Sequence, residues 1–576
     1  MRAGEIRQAR EACGDQHEAG DGLPCEREVV VAPVRGGSHE DLVGDCTPAT
    51  SAPSRSKIAT TRDTLRAACY PRPVMLNSSR RFAFALLYVL APLIAFVPDA
   101  NSAEAPADAA PPSQTLSETY REAASRLIGE ALLSSDAYDN LSELCDRIGN
   151  RLSGSAQLDS AIVWATEKMK AEGLANVRAE SVMVPVWVRG AERARLIEPA
   201  PHELSILGLG MSVGTPPKGI TADVVVVGSF AELDSLGETG VRGKIVLYDV
   251  PFTNYGETVR YRGAGASNAA RYGAVAALVR SVGPISYDTP HTGAMSYNDS
   301  LPKIPAAAVT IENATMMRRM AERGDRVRVQ LVMGARKLPD APSANVVGEV
   351  VGRERPDEVV VIGGHLDSWD VGQGAQDDGV GCMIALEAAH LIQRLGLAPR
   401  RTIRVVLFTN EENGIAGGKA YRAAHKSELG NHVAAIETDS GNGRCEGFRL
   451  DVRALVAAGA SAEDSSAAKA AADSATQRGL AILREIAPLL APLGATEMKP
   501  SYSGADVGPI VADGVTGLGL EHDTSRYWDI HHTNADTFEK VDREDLARNV
   551  ATMAVMAYVL ADMPGRLREP DVMVTR

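Results

Sequence analysis

The chain has 576 residues, 45% of them apolar, and a formal net charge of −14. That length exceeds one ordinary domain, so two or more domains with sizeable cores are expected. The acidic balance excludes a nucleic-acid backbone as the main partner, because domains of that kind carry a basic face. Residues 1–74 are rich in Arg, Glu, Gly and Pro and have neither helical nor strand periodicity. Met75 then opens "MLNSSRRFAFALLYVLAPLIAFVPDANSA". Arg80 and Arg81 precede an apolar run from Phe82 to Val97, and small residues stand at Ala100, Ser102 and Ala103. This is the layout of a secretory signal over residues 75–103. Pro92 and the short run argue against a membrane span. Residues 1–74 are therefore read as an upstream extension to a start at Met75; a disordered arm before an N-terminal anchor is the alternative. Export of the mature chain, with no stable span after signal cleavage, follows as the expectation. Four of the seven Cys (Cys13, Cys25, Cys46, Cys69) fall in the extension. Cys145, Cys382 and Cys445 remain, with no CxxC pair, which is neither a disulfide framework nor a thiolate zinc site.

After the lead-in "EAPADAAPPSQ", helical periodicity is expected in "SETYREAASRLIGEALL", "AYDNLSELCDRIGNRL" and "SAIVWATEKMKAEGL", followed by the strand "RAESVMVPVWVRG". These belong to the first part of an outer domain, residues 104–191. From 192 to 337 the texture changes to short strands between turns ("ADVVVVGSF", "RGKIVLYDV", "AVAALVRSV", "IPAAAVTI", "RVRVQLVMGA"), which reads as an inserted domain. "GLGMSVG" at Gly208 is glycine-rich, but no strand is expected before it and no helix after it, so it is not read as a phosphate loop. The outer domain resumes over 338–567, with 568–576 as a tail. Its alternation of "EVVVIGG", "GVGCMIALEAAHLIQRLG", "RTIRVVLFTN", "GIAGGKAYRAAHKSEL" and "HVAAIETDSG" predicts an α/β fold with a mostly parallel central sheet flanked by helices. Ala454–Gln477 is Ala/Ser-rich and reads as a surface insertion or loose helix. Helices "QRGLAILREIAPLLAPL" and "REDLARNVATMAVMAYVLADM" follow.

Sites in open α/β sheets form beyond the carboxyl ends of the strands. Here three expected strands end in acid or imidazole: at His365, at Glu411-Glu412 and at Asp439. "GGHLDSWDVGQGAQDDGVG" adds Asp377 at the start of the next helix, and "YWDIHHTNADT" adds His532. Each piece alone is weak, since an H-x-D pair is ordinarily a cap, an E-E doublet a solvated helix start and an H-H-T a loop. Their placement at successive strand ends is the signal. Two His and several carboxylates suit a borderline metal such as zinc. They exceed what one tetrahedral zinc with an open position takes, and suit two ions at about 3.5 Å sharing a carboxylate.

"GGHLDSWDVGQGAQDDGVG", "TNEENG", "ETDSG" and "HHTNADT", in this order, resemble the co-catalytic dinuclear zinc exopeptidases and, within them, the carboxypeptidase Q group. "RLSGS", "ILGLGMSVGTPP", "RGKIVLYD", "DTPHTGAMSY" and "KIPAAAVTIENATMM" extend the likeness over roughly Glu118 to Leu567. The resemblance implies two zinc ions per chain. His365 and Asp439 would bind one, Glu412 and His532 the other, Asp377 both, and Glu411 would be the general base. His532 is chosen over its neighbour His531 because Asp536 follows four residues later, as in the family. The resemblance also implies a cis peptide between Asp377 and Asp378, a protease-associated fold for the insert, a homodimer, and peptide or dipeptide substrates with free termini. Asp367 is the candidate acceptor for the far N–H of His365. Tyr502 and Asp506 in "SYSGADVGP", and His291 in "PHTG", are candidates for the substrate pocket. Two competing readings are a non-catalytic binding ectodomain on the same fold and a zinc amidohydrolase acting on acylated amino acids.

Overall fold

The computed structural model describes residues 114–456 and 461–568. The extension and the signal-like segment lie outside the described residues. None of the described helices is long and apolar enough to cross a membrane. Among the described residues, sixteen strands form two eight-stranded sheets. In chain order they are β1 (Ala175–Val188), β2 (Glu192–Glu198), β3 (His202–Leu204), β4 (Ile206–Gly208), β5 (Ile220–Val227), β6 (Ile245–Tyr248), β7 (Ala276–Arg280), β8 (Ala306–Val309), β9 (Arg328–Met333), β10 (Arg336–Val350), β11 (Arg355–His365), β12 (Arg401–Phe408), β13 (His432–Glu437), β14 (Cys445–Asp451), β15 (Glu497–Pro500) and β16 (Gly517–His522).

The first sheet runs β1-β10-β12-β11-β13-β16-β14-β15. Its four middle strands, β12-β11-β13-β16, are parallel. The β1–β10, β10–β12 and β14–β16 pairings are antiparallel, so the sheet is parallel at its centre and mixed at its flanks. Parallel strands buried on both faces read as unbroken apolar runs, and these do. In β11, Val360 and Ile362 enter one core while Val359 and Val361 enter the other; Val405 and Leu407 alternate with Val406 and Phe408 in β12. This period of two is the pleat itself. The larger core is closed by helices Leu116–Leu133, Asp136–Arg147, Ala156–Ala171, Val380–Arg394 and Arg543–Asp562. The opposite face is covered by Ala416–Ala424 and Gly508–Val511. From Ala462 onward the Ala/Ser-rich stretch is part of one helix, Ala462–Leu490, which also takes in most of the next expected helix. Its Ser461 side chain caps the first turn, and Ala472, Ala475 and Gly479 bury its inner stripe.

The second sheet contains every strand from β2 to β9, in the order β3-β2-β9-β5-β6-β7-β8-β4. Its own cores alternate likewise: Ile245 and Leu247 on one face, Val246 and Tyr248 on the other. The glycine-rich stretch is preceded by a short strand, β4, contrary to the sequence reading. Its Gly210 lies where a Cβ would strike the ring of Trp369, so the glycine serves close packing. Leu152, Trp187, Leu207, Ala335, Trp369 and Val371 form a small core between the two sheets.

Candidate metal centre

The carboxyl ends of β12, β11 and β13 stand side by side, and each delivers acid or imidazole. His365 is the last residue of β11, Glu411 and Glu412 lie just past Phe408 at the end of β12, and Asp439 lies just past Glu437 at the end of β13. Asp377 sits in a single π turn, Ala375–Gly379, immediately before helix Val380–Arg394. The Asp377–Asp378 peptide is cis. His532 follows the short helix Tyr527–Ile530 and has φ +60°, in the left-handed region.

These side chains converge on Asp377. His365 Nε2 lies 3.3 Å from Asp377 Oδ1 and 3.6 Å from Asp439 Oδ1. On the other side, His532 Nε2 lies 3.0 Å from Asp377 Oδ2 and 3.1 Å from Glu412 Oε2. His531 Nε2 is farther, 3.6 Å from Asp377 Oδ2, with its ring stacked on that of His532 at 3.6 Å. Two groups of donor atoms, His365/Asp377/Asp439 and Asp377/His531/His532, are each tight enough to hold one ion, and Asp377 belongs to both. Among the described residues, the ion pairs of Asp377, Glu412 and Asp439 are all with histidine. His365 Nε2, Asp377 Oδ2, Glu412 Oε1 and Asp439 Oδ1 are buried without a well-formed hydrogen bond. Orphaned buried polar atoms are costly. Inward-facing N and O donors that lack partners fit a cation such as zinc.

Electrostatics separates the two neighbouring glutamates from Asp377. Burial, reinforced by the charges of Asp439, Glu412 and Asp367, pushes the Glu411 carboxyl well above the usual range. Burial also raises Glu412, to about 7, against the pull of His532. For Asp377 burial works the same way, but the imidazoles of His365 and His532 outweigh it and hold the carboxyl well below its ordinary value.

The supporting contacts differ in part from the sequence reading. His365 Nδ1 lies 3.0 Å from the backbone carbonyl of Asp367, whereas the Asp367 carboxylate is 3.8 Å away. That carboxylate instead accepts the Glu411 N–H at 3.0 Å and the Ser153 hydroxyl at 3.3 Å. Asp367 therefore orients His365 through its main chain and the Glu411 turn through its side chain. Asp378 accepts the N–H of His365 and of Gly381, both at 3.1 Å, which ties the strand end to the helix start. A Cβ at Gly364 or Gly381 would collide with the Asp378 carboxylate, which accounts for the glycines in this acidic stretch. Tyr502 is half-exposed, with the Arg453 guanidinium over its ring. Burial and the charges of Glu437, Glu411 and Asp439 raise its phenol. Asp506 is buried with both carboxylate oxygens unpartnered, and burial with Glu437 and Glu411 nearby raises it strongly. His291 lies apart from the carboxylates but close to the paired imidazoles, within reach of the His531 backbone and of the His532 ring. It is buried in a loop of the second sheet's region, its Nε2 2.9 Å from the Ile285 carbonyl.

The profile of peptidase family M28 matches residues 345–557. Carboxypeptidase Q of Bos taurus is 43% identical over 427 residues, covering 74% of this chain and 85% of that protein. Carboxypeptidase Q of Mus musculus is 41% identical over 447 residues, covering 77% and 90%. This chain belongs to peptidase family M28. The structure of a peptidase M28 precursor from Shewanella amazonensis superimposes with a TM-score of 0.72 at 36% identity, covering 78% of this chain and 98% of that one. A zinc aminopeptidase from Bacillus subtilis shares the fold at 19% identity and a TM-score of 0.54. The family places the protein among the zinc metallo-exopeptidases, the class that the sequence motifs resemble.

Several residues that shape the site lie inside the quoted motifs without a role having been assigned to them. Arg151 is fully buried and donates to the carbonyls of Leu366 (2.6 Å), Gln373 (2.7 Å) and Gly374 (2.8 Å), gripping the segment between His365 and Asp377. Asp536 takes the N–H groups of Gln376 (2.7 Å) and Asp377 (3.2 Å) from the other direction. Glu437 accepts the N–H groups of Ala505 (2.9 Å) and Val507 (2.7 Å), fixing the loop of Tyr502 and Asp506. The "RLSGS" and "HHTNADT" stretches flagged the neighbourhood of Arg151 and Asp536 but not what they hold.

Proposed function

We propose that this chain is an exported exopeptidase with two zinc ions, hydrolysing dipeptides or other small peptides with free termini. The observation that carries the reading is the position of the Asp377 carboxylate, with one oxygen toward His365, which also faces Asp439, and the other toward His532, which also faces Glu412. In this reading His365 and Asp439 hold one ion, Glu412 and His532 the other, and Asp377 both. Zinc, when bound, polarises the scissile carbonyl and acidifies the attacking water. Glu411, whose burial raises its affinity for a proton, would as the carboxylate accept one from the attacking water and return it to the leaving amine. Tyr502 and Asp506 line the substrate side, on the loop that Glu437 anchors. The second sheet, within residues 192–337, serves as a protease-associated domain, and the protein works as a homodimer. Export rests on the signal-like segment at 75–103.

A panel of dipeptides, free and blocked at either end, offered to zinc-loaded protein with product analysis by mass, tests the substrate class. Cleavage of the free dipeptides is expected, with loss on chelation and recovery on adding zinc. Release of acyl groups from blocked amino acids, with free dipeptides untouched, would favour an amidohydrolase. Bound zinc without any turnover would favour a binding ectodomain.

A further inference from the structure

The second sheet's region reaches into the metal centre itself. The peptide group of Thr292 brackets His532 from both sides. Its N–H donates to the His532 carbonyl at 2.9 Å, and its carbonyl lies 3.3 Å from His532 Nδ1. His532 holds left-handed backbone that a β-carbon disfavours, and the Thr292 N–H is one of the contacts that holds it there. Thr292 is itself fully buried and tied back by its hydroxyl to the Gly208 carbonyl at 2.8 Å. Over it lies Arg262, from helix Tyr255–Arg271 of the same region.

Arg262 is buried, at 6% exposure, and among the described residues no carboxylate forms an ion pair with it. One of its terminal nitrogens donates to the Thr292 carbonyl at 3.1 Å and lies 3.4 Å from His532 Nδ1; the other donates to the Tyr255 hydroxyl at 2.7 Å. Gly293, at φ +138°, leaves the space the guanidinium fills, because a Cβ there would overlap it. Tyr255 in turn stacks on Trp528 at 4.6 Å and meets the His531 ring edge-on at 5.1 Å. A cation kept this deep by hydrogen bonds to one carbonyl and one phenol fixes the place of that carbonyl. A metal-bound imidazole needs its far N–H on a fixed acceptor, which sets both the tautomer and the ring plane.

We infer that Arg262 is a positioning residue for the metal ligand His532, acting through the Thr292 carbonyl, so that the second sheet's region completes one of the two zinc sites. This rests on the two-zinc reading above. His365, by contrast, takes its acceptor from Asp367 in its own loop. The two ions should therefore depend unequally on the inserted region.

The test measures zinc stoichiometry and the two zinc affinities by chelator competition on the full chain, with the melting temperature of the metal-free protein beside them. Arg262→Met is expected to weaken one ion 10–100-fold, the range seen when an orienting partner is removed, and to leave the other unchanged. Arg262→Lys, which keeps the charge but cannot span Thr292 and Tyr255, is expected to fall between. Two unchanged affinities in Arg262→Met, with at most a lower melting temperature, would overturn the inference. If Arg262→Met does not fold, Arg262→Lys decides by the same criterion. Glu412→Gln is the reference arm and should lose one ion outright. Were it to keep both, the ligand assignment would fail and the inference with it, an outcome distinct from failure at Arg262 alone.

Discussion

Glu411 and Glu412 are adjacent in the chain, yet their surroundings assign them different work. Glu412 points an oxygen at His532, 3.1 Å away, and keeps a second oxygen unpartnered. Glu411 pairs with no imidazole among the described residues; burial, with Asp439, Glu412 and Asp367, raises it against the more distant pull of His365. Glu411→Gln keeps the shape and removes the proton acceptor. Turnover should fall by about 10²–10⁴-fold with both zincs retained and KM little changed, since the lost interaction acts in the transition state. Glu412→Gln should instead release one zinc and lower the melting temperature, because a bound ion stabilises the folded state by mass action. Zinc analysis with steady-state kinetics on both variants checks this, and the reverse pattern would exchange the two roles. At this scale the sequence was informative wherever a residue acts through an acid or imidazole at a strand end: His365, Glu411, Glu412 and Asp439 all stand there. It gave no role to Arg151 or Thr292 and used Asp536 only to choose between His531 and His532; all three act on backbone groups. A guanidinium that binds carbonyls leaves no spacing to read, because its partners are peptide groups rather than side-chain types.

Among the elements, helix Ala156–Ala171 ends where charge is least comfortable. Glu172, its C-cap residue, is pushed up to about 7 by burial, with Glu387 adding to the effect and His390, Asn140 and Lys168 opposing it. Its only side-chain partner among the described residues is the Asn140 amide at 3.1 Å, which donates from helix Asp136–Arg147. His390, on helix Val380–Arg394, is raised by its bond to Glu387. Both shifts have the same sign for stability. An acid raised from 4.5 to about 7 on folding costs stability progressively as pH climbs through that window. A histidine raised on folding contributes stability at low pH that is lost as pH rises past its folded value. Glu172→Gln should therefore flatten the decline in melting temperature between pH 4.5 and 7 and raise it at pH 8; a parallel-shifted profile would refute this. Element types were legible in the sequence from the length and make-up of the apolar stretches, as in the short β-branched run of β11 against the long Ala- and Leu-containing stretch of Val380–Arg394. The short strand before Gly208 was not legible, since Ile206–Gly208 has too few residues to show a period. The Ala-rich start of Ala462–Leu490 was read as loose because small side chains hide which face is inward.

On the scale of the whole molecule, the boundary of the inserted region was visible as a change of texture, but its bearing on the metal centre was not. Contacts such as Thr292 with His532 join residues 240 apart in the chain. Export belongs to this scale too. The mature protein is expected to begin near Glu104, and N-terminal sequencing of exported material that recovered residues 1–74 would overturn that reading. The path of the chain between the sheets has a mechanical consequence. It leaves the first sheet at Val188 and returns at Arg336, and these two residues are direct partners in the β1–β10 ladder. Gly190 and Gly334 then pass so closely that a Cβ on Gly190 would press on the Gly334 carbonyl at 2.6 Å. Two side-by-side attachments act like the knuckles of a door hinge: they resist twist and permit rotation about the line through them. The bracket of Thr292 on His532 lies away from that line, as do the shared core of Trp187, Leu207 and Trp369 and the Arg189–Asp370 pair. Together they latch a door that would otherwise be hung on Val188 and Arg336, and the part of the latch nearest the candidate metal centre is the one at His532.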